Sequence, residues 1–192
     1  MNLQIKILCE DYKKVNGIWR LEGIDECPAN SLVKQFMQLM KVQLSTVTIT
    51  SLIKDTGGTS RTVPTVAQNF NINAGLGIVT HGILVGTGTN AVTISDYVLQ
   101  TPIAHGNGAG QLYYNAVALD DADVTVSGSD CYYDCKRFIE NNSGGDINIK
   151  EIGVVCTGSA SSYKFLIDRT LYNKTITNGT GARFIYRFEI SV

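Results

Sequence analysis

Residues 78–117 read IVTHGILVGTGTNAVTISDYVLQTPIAHGNGAGQLYYNAV. Four apolar runs, each short enough for a strand, are separated by glycine-rich turns, and both histidines of the chain, His81 and His105, lie here. Short apolar runs bounded by glycine are the mark of buried strands. Gly86-Thr87-Gly88-Thr89-Asn90-Ala91 has the spacing G-x-G-x-x-A, in which a helix N-terminus receives a pyrophosphate. That arrangement needs a helix to open on the last small residue. Val92-Thr93-Ile94, good strand formers, follow instead. The segment therefore predicts strands joined by tight turns, with glycine supplying positive φ.

The same grammar continues to the last residue. Strands are expected over GILVG, AVTI, QLYYNAVAL, DVTVSGS, YYDCKRFIEN, DINIKEIGVVC, YKFLIDRTL and RFIYRFEISV, with TGTN, NNSGGD, TGSASS and TNGTG as turns. Regular strands without intervening helices exclude a doubly wound α/β fold and predict two antiparallel sheets face to face. The expected class is mainly β: an antiparallel β-sandwich, with a jelly roll as one form it can take, and one N-terminal helix.

Toward the N-terminus, LQIKILC alternates apolar and polar residues and predicts a half-buried strand. GIWRLEGI is its expected hairpin partner across the polar EDYKKVN, with Trp19, the single tryptophan, anchoring the unit. Pro28, Asn30 and Ser31 then supply a helix start. SLVKQFMQLMKVQL follows with apolar residues around most of its circumference, which implies burial on more than one side. STVTITSLIKD reads as a strand, DTGGTSRTVPTVAQNF as a loop, and FNINAGLGIVTHGILVGTG as two strands broken at Gly75-Leu76-Gly77. These signals divide the chain into an N-terminal strand and helix attachment region, 1–55, and a β-sandwich domain, 56–192.

Composition narrows the function classes. Charged residues are 17% of the chain, against roughly 25% in an average domain. Low surface charge suits a subunit whose surface is covered by neighbours. A net charge of -1 with dispersed Lys and Arg argues against a nucleic-acid partner. No run approaches the roughly 18 apolar residues of a membrane span, and MNLQIKILCEDY lacks the long apolar segment of a signal peptide. The triplets at Asn141, Asn173 and Asn178 are accordingly read as chance rather than glycosylation sites. Five cysteines without a secretory context are expected to be thiols.

Chemistry-bearing clusters are few. Cys131 and Cys135 form a C-x3-C, but no second cysteine pair completes a tetrahedral metal set. Asp120, Asp121 and Asp123 cluster as calcium ligands do, yet without the glycine and trailing glutamate of a calcium loop. Asp96 is the one acid near the histidines and is expected at a helix start or in an Asx turn; His105 is expected to bond turn backbone. Neither histidine has a nucleophile in a recognisable catalytic context. No catalytic residue and no cofactor are expected. In Tyr113-Tyr114 and Tyr132-Tyr133, one ring of each pair faces the core and the other faces outward. Tyr114 and Tyr133 are the candidates for stacking on a sugar.

Several segments together resemble a group of tailed-bacteriophage virion proteins: Gly82–Gly88 (GILVGTG), Asp96–Leu99 (DYVL), Ile103–Gly106 (IAHG), Asn141–Asp146 (NNSGGD), Glu151–Gly153 (EIG) and Arg169–Leu171 (RTL). Asn30–Phe36 (NSLVKQF) and Asp55–Thr59 (DTGGT) are similar too. Where members carry Arg-Asp in the late segment, this chain has Asp168-Arg169, so no role carries over to that pair. The resemblance implies a non-enzymatic structural subunit located in the virion. It would assemble as a homo-oligomer on capsid or tail and contact itself and other virion proteins, with no membrane partner. The over-apolar helix makes Phe36, Met37, Leu39 and Met40, with Trp19, the expected assembly surface. Alternatives are a carbohydrate-binding module for the host surface and an adaptor of the tail or neck.

Overall fold

The computed structural model describes residues 2–29, 32–44, 49–64, 70–119, 124–158 and 163–191. In chain order the elements are β1 (Asn2–Val15), β2 (Ile18–Ala29), α1 (Lys34–Leu44), β3 (Ile49–Lys54), β4 (Ser60–Val63) and β5 (Gly82–Gly86). Then come β6 (Tyr113–Leu119), β7 (Thr125–Ser127), β8 (Asp130–Glu140), β9 (Ile147–Thr157), β10 (Lys164–Ile176) and β11 (Thr180–Ser191). The class is mainly β, as the strand grammar implied. Every strand pair is antiparallel.

A large sheet has the order β2-β1-β11-β8-β6, with β7 also on β8; a small sheet has the order β10-β9-β5; β3 and β4 form a separate hairpin. The two main sheets face each other. Tyr186 on β11 donates its hydroxyl to Asp168 on β10 at 2.9 Å, and Tyr172 on β10 meets Phe184 on β11 edge-on at 6.1 Å. Across the other end, the Tyr114 hydroxyl on β6 lies 3.3 Å from Val85 O on β5. Alternation explains the core: Ile5, Ile7 and Cys9 of β1, Cys135 and Ile139 of β8, and Phe184 and Tyr186 of β11 point inward and are buried.

The small sheet is covered on both sides, which is why β9 carries the nearly unbroken apolar run Ile152–Cys156. Its outer face is roofed by the segment 87–103. A Cβ on Gly153 would lie 2.8 Å from Leu99 Cδ1, so glycine is required for that roof to close. The same segment seals the free edge of β5, where Thr87 N bonds Thr101 O and Ile103 N bonds Val85 O. Residues Val92–Ile94, expected as a strand, belong to this roof and form no strand. The stretch before β5 likewise holds only a bridge between Asn71 and Thr157 where a strand was expected.

The N-terminal expectations need three corrections. EDYKKV is not a loop: β1 and β2 pair through to Val15↔Ile18, and the chain reverses at Asn16 (φ 53) and Gly17 (φ 80). Two positive φ values in a row are the two-residue hairpin turn that Asn-Gly favours. Secondly, 1–55 is not a unit apart. β1 pairs with β11 from Asn2↔Ser191 to Lys13↔Thr180, as an interior strand of the large sheet. Thirdly, the expected loop after Asp55 contains β4. Asp55 builds its turn, accepting from Gly57 N and Thr59 N through Oδ1 and from Arg61 Nε through Oδ2 at 2.6 Å.

Helix α1 lies against β10 and β3 and buries Gln35, Phe36, Leu39 and Val42 on one face. The wide apolar pattern thus resolves into one core face plus two exposed residues, Met37 and Leu44. The expected caps Asn30 and Ser31 lie outside the described residues.

Candidate functional site

The scattered motif residues converge on one buried network. Glu151, in the middle of β9, is fully buried. Its Oε1 accepts from Thr101 N at 2.7 Å and Gly88 N at 3.2 Å, and its Oε2 accepts from Gln100 N at 3.0 Å. Arg169 on β10 donates Nε to Oε2 at 2.7 Å. The same guanidinium reaches Asp96 Oδ2 at 2.8 Å and Asn90 O at 3.1 Å. Asp96 also accepts from the amide and hydroxyl of Thr93, at 3.1 and 2.7 Å. Expected at a helix start or in an Asx turn, Asp96 instead bonds back to Thr93, three residues before it, and pairs with Arg169.

The glycine spacing that suggested a phosphate cradle has its physical reason here. A Cβ on Gly86 would sit 2.5 Å from Glu151 Oε1 and from Thr101 O, and one on Gly88 2.5 Å from Glu151 Oε1. The turn does wrap an anion, but the anion is the protein's own carboxylate. Burial works to raise the Asp96 carboxyl, yet the Thr93 hydrogen bonds and Arg169 outweigh it and hold it below its ordinary value. Burial opposes the charge on Arg169 too, but Glu151 and Asp96 hold its pKa above normal. A carboxylate that takes four donors and an arginine clamped between two acids form a fixed ionic lock, not a proton-transfer pair.

Two further locks hold the rest of 75–115. Arg137 on β8 is fully buried and donates to Asn115 O at 2.8 Å, Ile83 O at 3.0 Å and Ile78 O at 2.6 Å, while lying over the Tyr114 ring. Burial pushes it down to about 10, so it remains charged at neutral pH. His105 Nδ1 accepts from Tyr114 N at 3.1 Å, which places the proton of the neutral ring on Nε2. His105 was expected to bond turn backbone; its partner is strand backbone, in β6. Asn141 is buried and spends its amide on Gly145 O and Ile176 O, so the first glycosylation-type triplet presents no free amide.

A second feature is an apolar groove of about 440 Å3 at the open end of the space between the layers. Phe36 and Met40 of α1, Phe70, Tyr133 and Phe188 line it. Tyr133 stacks flat on Phe188, ring centres 5.0 Å apart and planes within 8°.

The expected assembly residues do not share a surface. Phe36 and Leu39 are core, Met40 is half-buried in the groove, and Met37 is 61% exposed. Trp19 lies on the outer face of the large sheet, edge-on to Phe138 at 5.1 Å. Changing Phe36 or Leu39 would therefore test folding rather than attachment. Of the two tyrosines expected to face a sugar, Tyr114 is fully buried and donates its hydroxyl to Ile103 O at 3.0 Å, because β5 covers that face of β6. Tyr133 is 44% exposed. Cys131 and Cys135 are thiols on one face of β8, about 13 Å apart by strand rise. Among the described residues no cluster of three metal-ligating side chains occurs, and Asp120, Asp121 and Asp123 lie outside them. No described helix is long and apolar enough to cross a membrane.

Sequence reasoning missed Glu151, Arg169 and Arg137 as organising residues. A signal existed: each is a charge whose neighbours two residues either side are apolar or glycine, Ile149 and Gly153, Ile167 and Leu171, Cys135 and Ile139. A charge in such a place must be paired or hydrogen-bonded.

Compared with known proteins, the chain matches no family model, no curated protein and no solved structure.

Proposed function

We propose that this protein is a non-enzymatic structural subunit of a bacteriophage particle that assembles with copies of itself. The observation that carries the self-association is the free edge of β2. Among the described residues, this strand of twelve residues ends the large sheet and pairs with β1 alone. It exposes Ile18 (62%), Leu21 (49%) and Ile24 (58%). A long edge strand with apolar side chains is a template for pairing with another chain; β2 also carries Pro28 and the charges Arg20, Glu22, Asp25 and Glu26, which blunt an edge, so the contact rests on Ile18, Leu21 and Ile24. The low charge of the chain supports the same reading.

The virion setting rests on the resemblance of the GILVGTG, DYVL, NNSGGD and EIG segments. The residues of those segments that could do chemistry are committed to internal locks, which favours a scaffold over an enzyme. Light scattering coupled to size exclusion tests the assembly. The intact protein is expected to run as an oligomer, and Leu21→Lys with Ile24→Lys as a folded monomer. A monomeric parent protein, or a double variant of unchanged mass, overturns the β2 edge as the contact.

A further inference from the structure

The outer face of the large sheet is divided in two. At one end it carries a charge ladder: Lys6 with Glu189 at 2.8 Å, and Arg187 paired twice with Asp134. At the other end stands a group of aromatic rings. Tyr12 meets Phe138 edge-on at 5.5 Å, and Trp19 meets the same ring at 5.1 Å. All three rings are half-buried on a face that no described strand or helix covers. Filling the core does not account for them.

The rings form the floor of a shallow trough of about 400 Å3, closed by Asn115, Glu140 and Arg183. That volume is within the roughly 300–1,000 Å3 of small-molecule sites. Its base is set by Gly181: a Cβ there would come within 2.5 Å of the Phe138 ring, so the ring lies on bare backbone. The polar rim is preorganised. Asn115 Nδ2 donates to Glu140 Oε1 at 2.9 Å, and Arg183 Nη1 donates to Glu10 Oε2 at 3.1 Å while stacking over Tyr12. Glu140 Oε2, Asn115 Oδ1 and the Trp19 indole N–H have no hydrogen-bond partner among the described residues. The trough therefore offers ring faces together with unspent planar acceptors and donors.

We propose that this trough binds a neutral saccharide. The C–H face of a pyranose packs on aromatic rings, and its hydroxyls need both an acceptor such as a carboxylate and donors such as guanidinium and indole N–H. Glu10 and Glu140 are balanced by Arg183 and by Lys14, which lies over the Trp19 ring at 5.4 Å, so the rim suits a neutral ligand, and its polar groups disfavour a purely apolar one. This site is distinct from Tyr114 and Tyr133, and it does not depend on self-association through β2.

Trp19 is the only tryptophan, so its emission reports from the trough alone. The intact protein is titrated separately with maltohexaose, cellohexaose and chitohexaose, following Trp19 emission and saturation-transfer NMR. At least one probe is expected to give a saturable emission shift. Glu140→Gln, which keeps the Asn115 contact, is expected to weaken it about tenfold or more through loss of a charged acceptor. Gly181→Ala, which displaces Phe138, is expected to weaken it as well, with circular dichroism unchanged. Tyr133→Ala, on the opposite face, should bind as the parent does. Absence of both signals with every probe overturns the proposal. So does binding that Glu140→Gln and Gly181→Ala leave intact, or a Trp19 emission that depends on protein concentration alone, which would mean a second copy covers the trough.

Discussion

At the scale of single residues, the Glu151–Arg169 pair is where sequence position and physical role diverge most. Alternation along Ile147–Thr157 marks Glu151 only as one polar residue in a strand. Its donors come from Gly88, Gln100 and Thr101, far earlier in the chain, and from Arg169 across the β9–β10 pair. Replacing this carboxylate by an amide leaves the buried Arg169 facing a neutral group and turns an NH2 toward donors that need an acceptor. Glu151→Gln is expected to destabilise by about 3–5 kcal/mol, the usual cost of breaking a buried pair on one side. Urea unfolding checks this: the midpoint should fall with the slope unchanged. A change below about 0.5 kcal/mol would place the residue among ordinary surface positions. Adjacent Asp168 and Arg169 show why a dipeptide motif is a poor guide in a strand. One faces Tyr186 between the sheets and the other faces the 87–101 roof, so their roles are unrelated.

At the scale of elements, the β1–β2 hairpin was half legible. Its two strands follow from alternation, but the polar run EDYKK hides the continuation of β1, because β1 is solvated on one face there and polar residues are expected. The turn itself was signalled by Asn16-Gly17, the dipeptide best suited to two consecutive positive φ values. Gly17→Val is expected to cost about 1–3 kcal/mol, the range for a strained backbone position. Asn16→Gly should be nearly neutral, since glycine accepts φ 53 without strain. Thermal unfolding of the two variants separates them; equal melting temperatures would show that the turn geometry does not hold the hairpin. Helix α1 carries the complementary lesson. Its pattern of apolar residues is wider than the face it buries, and composition cannot say which of Phe36, Met37, Leu39 and Met40 meets the core. The contact with β10 and β3 makes that choice.

At the scale of the whole molecule, the ionised groups act together on stability. Asp55 and Asp96 are subject to burial, which raises a carboxyl, but hydrogen bonds from Arg61 and Thr59, and from Thr93 and Arg169, bring both below their ordinary values. Hydrogen bonding from Lys6 lowers Glu189 despite burial. Folded pKa values below the unfolded ones mean that the folded state binds fewer protons. The stabilisation is therefore complete above about pH 4, the unfolded carboxyl range, and disappears as pH falls through the depressed folded values. Urea midpoints are expected to be flat near neutrality and to drop in acid. Asp55→Asn with Asp96→Asn should lower the neutral plateau and flatten the acid limb. An acid limb of unchanged steepness in that variant would show that other groups drive acid unfolding.

Period-2 alternation, glycine-bounded turns and the lack of any βαβ spacing were enough to name an antiparallel sandwich, because these are local properties of backbone and side-chain direction. Burial is not local. Tyr114 is core because β5 lies over it, Trp19 is half-exposed because no described strand or helix packs on that end of β1 and β2, and Glu151 is an anchor because a loop fifty residues earlier folds back across β9. Which face of each strand becomes interior, surface or site depends on what packs there, and that packing joins residues the linear pattern keeps apart. The stretch 78–117 belongs to both accounts: its turns were readable residue by residue, while the carboxylate they enclose arrives from another strand.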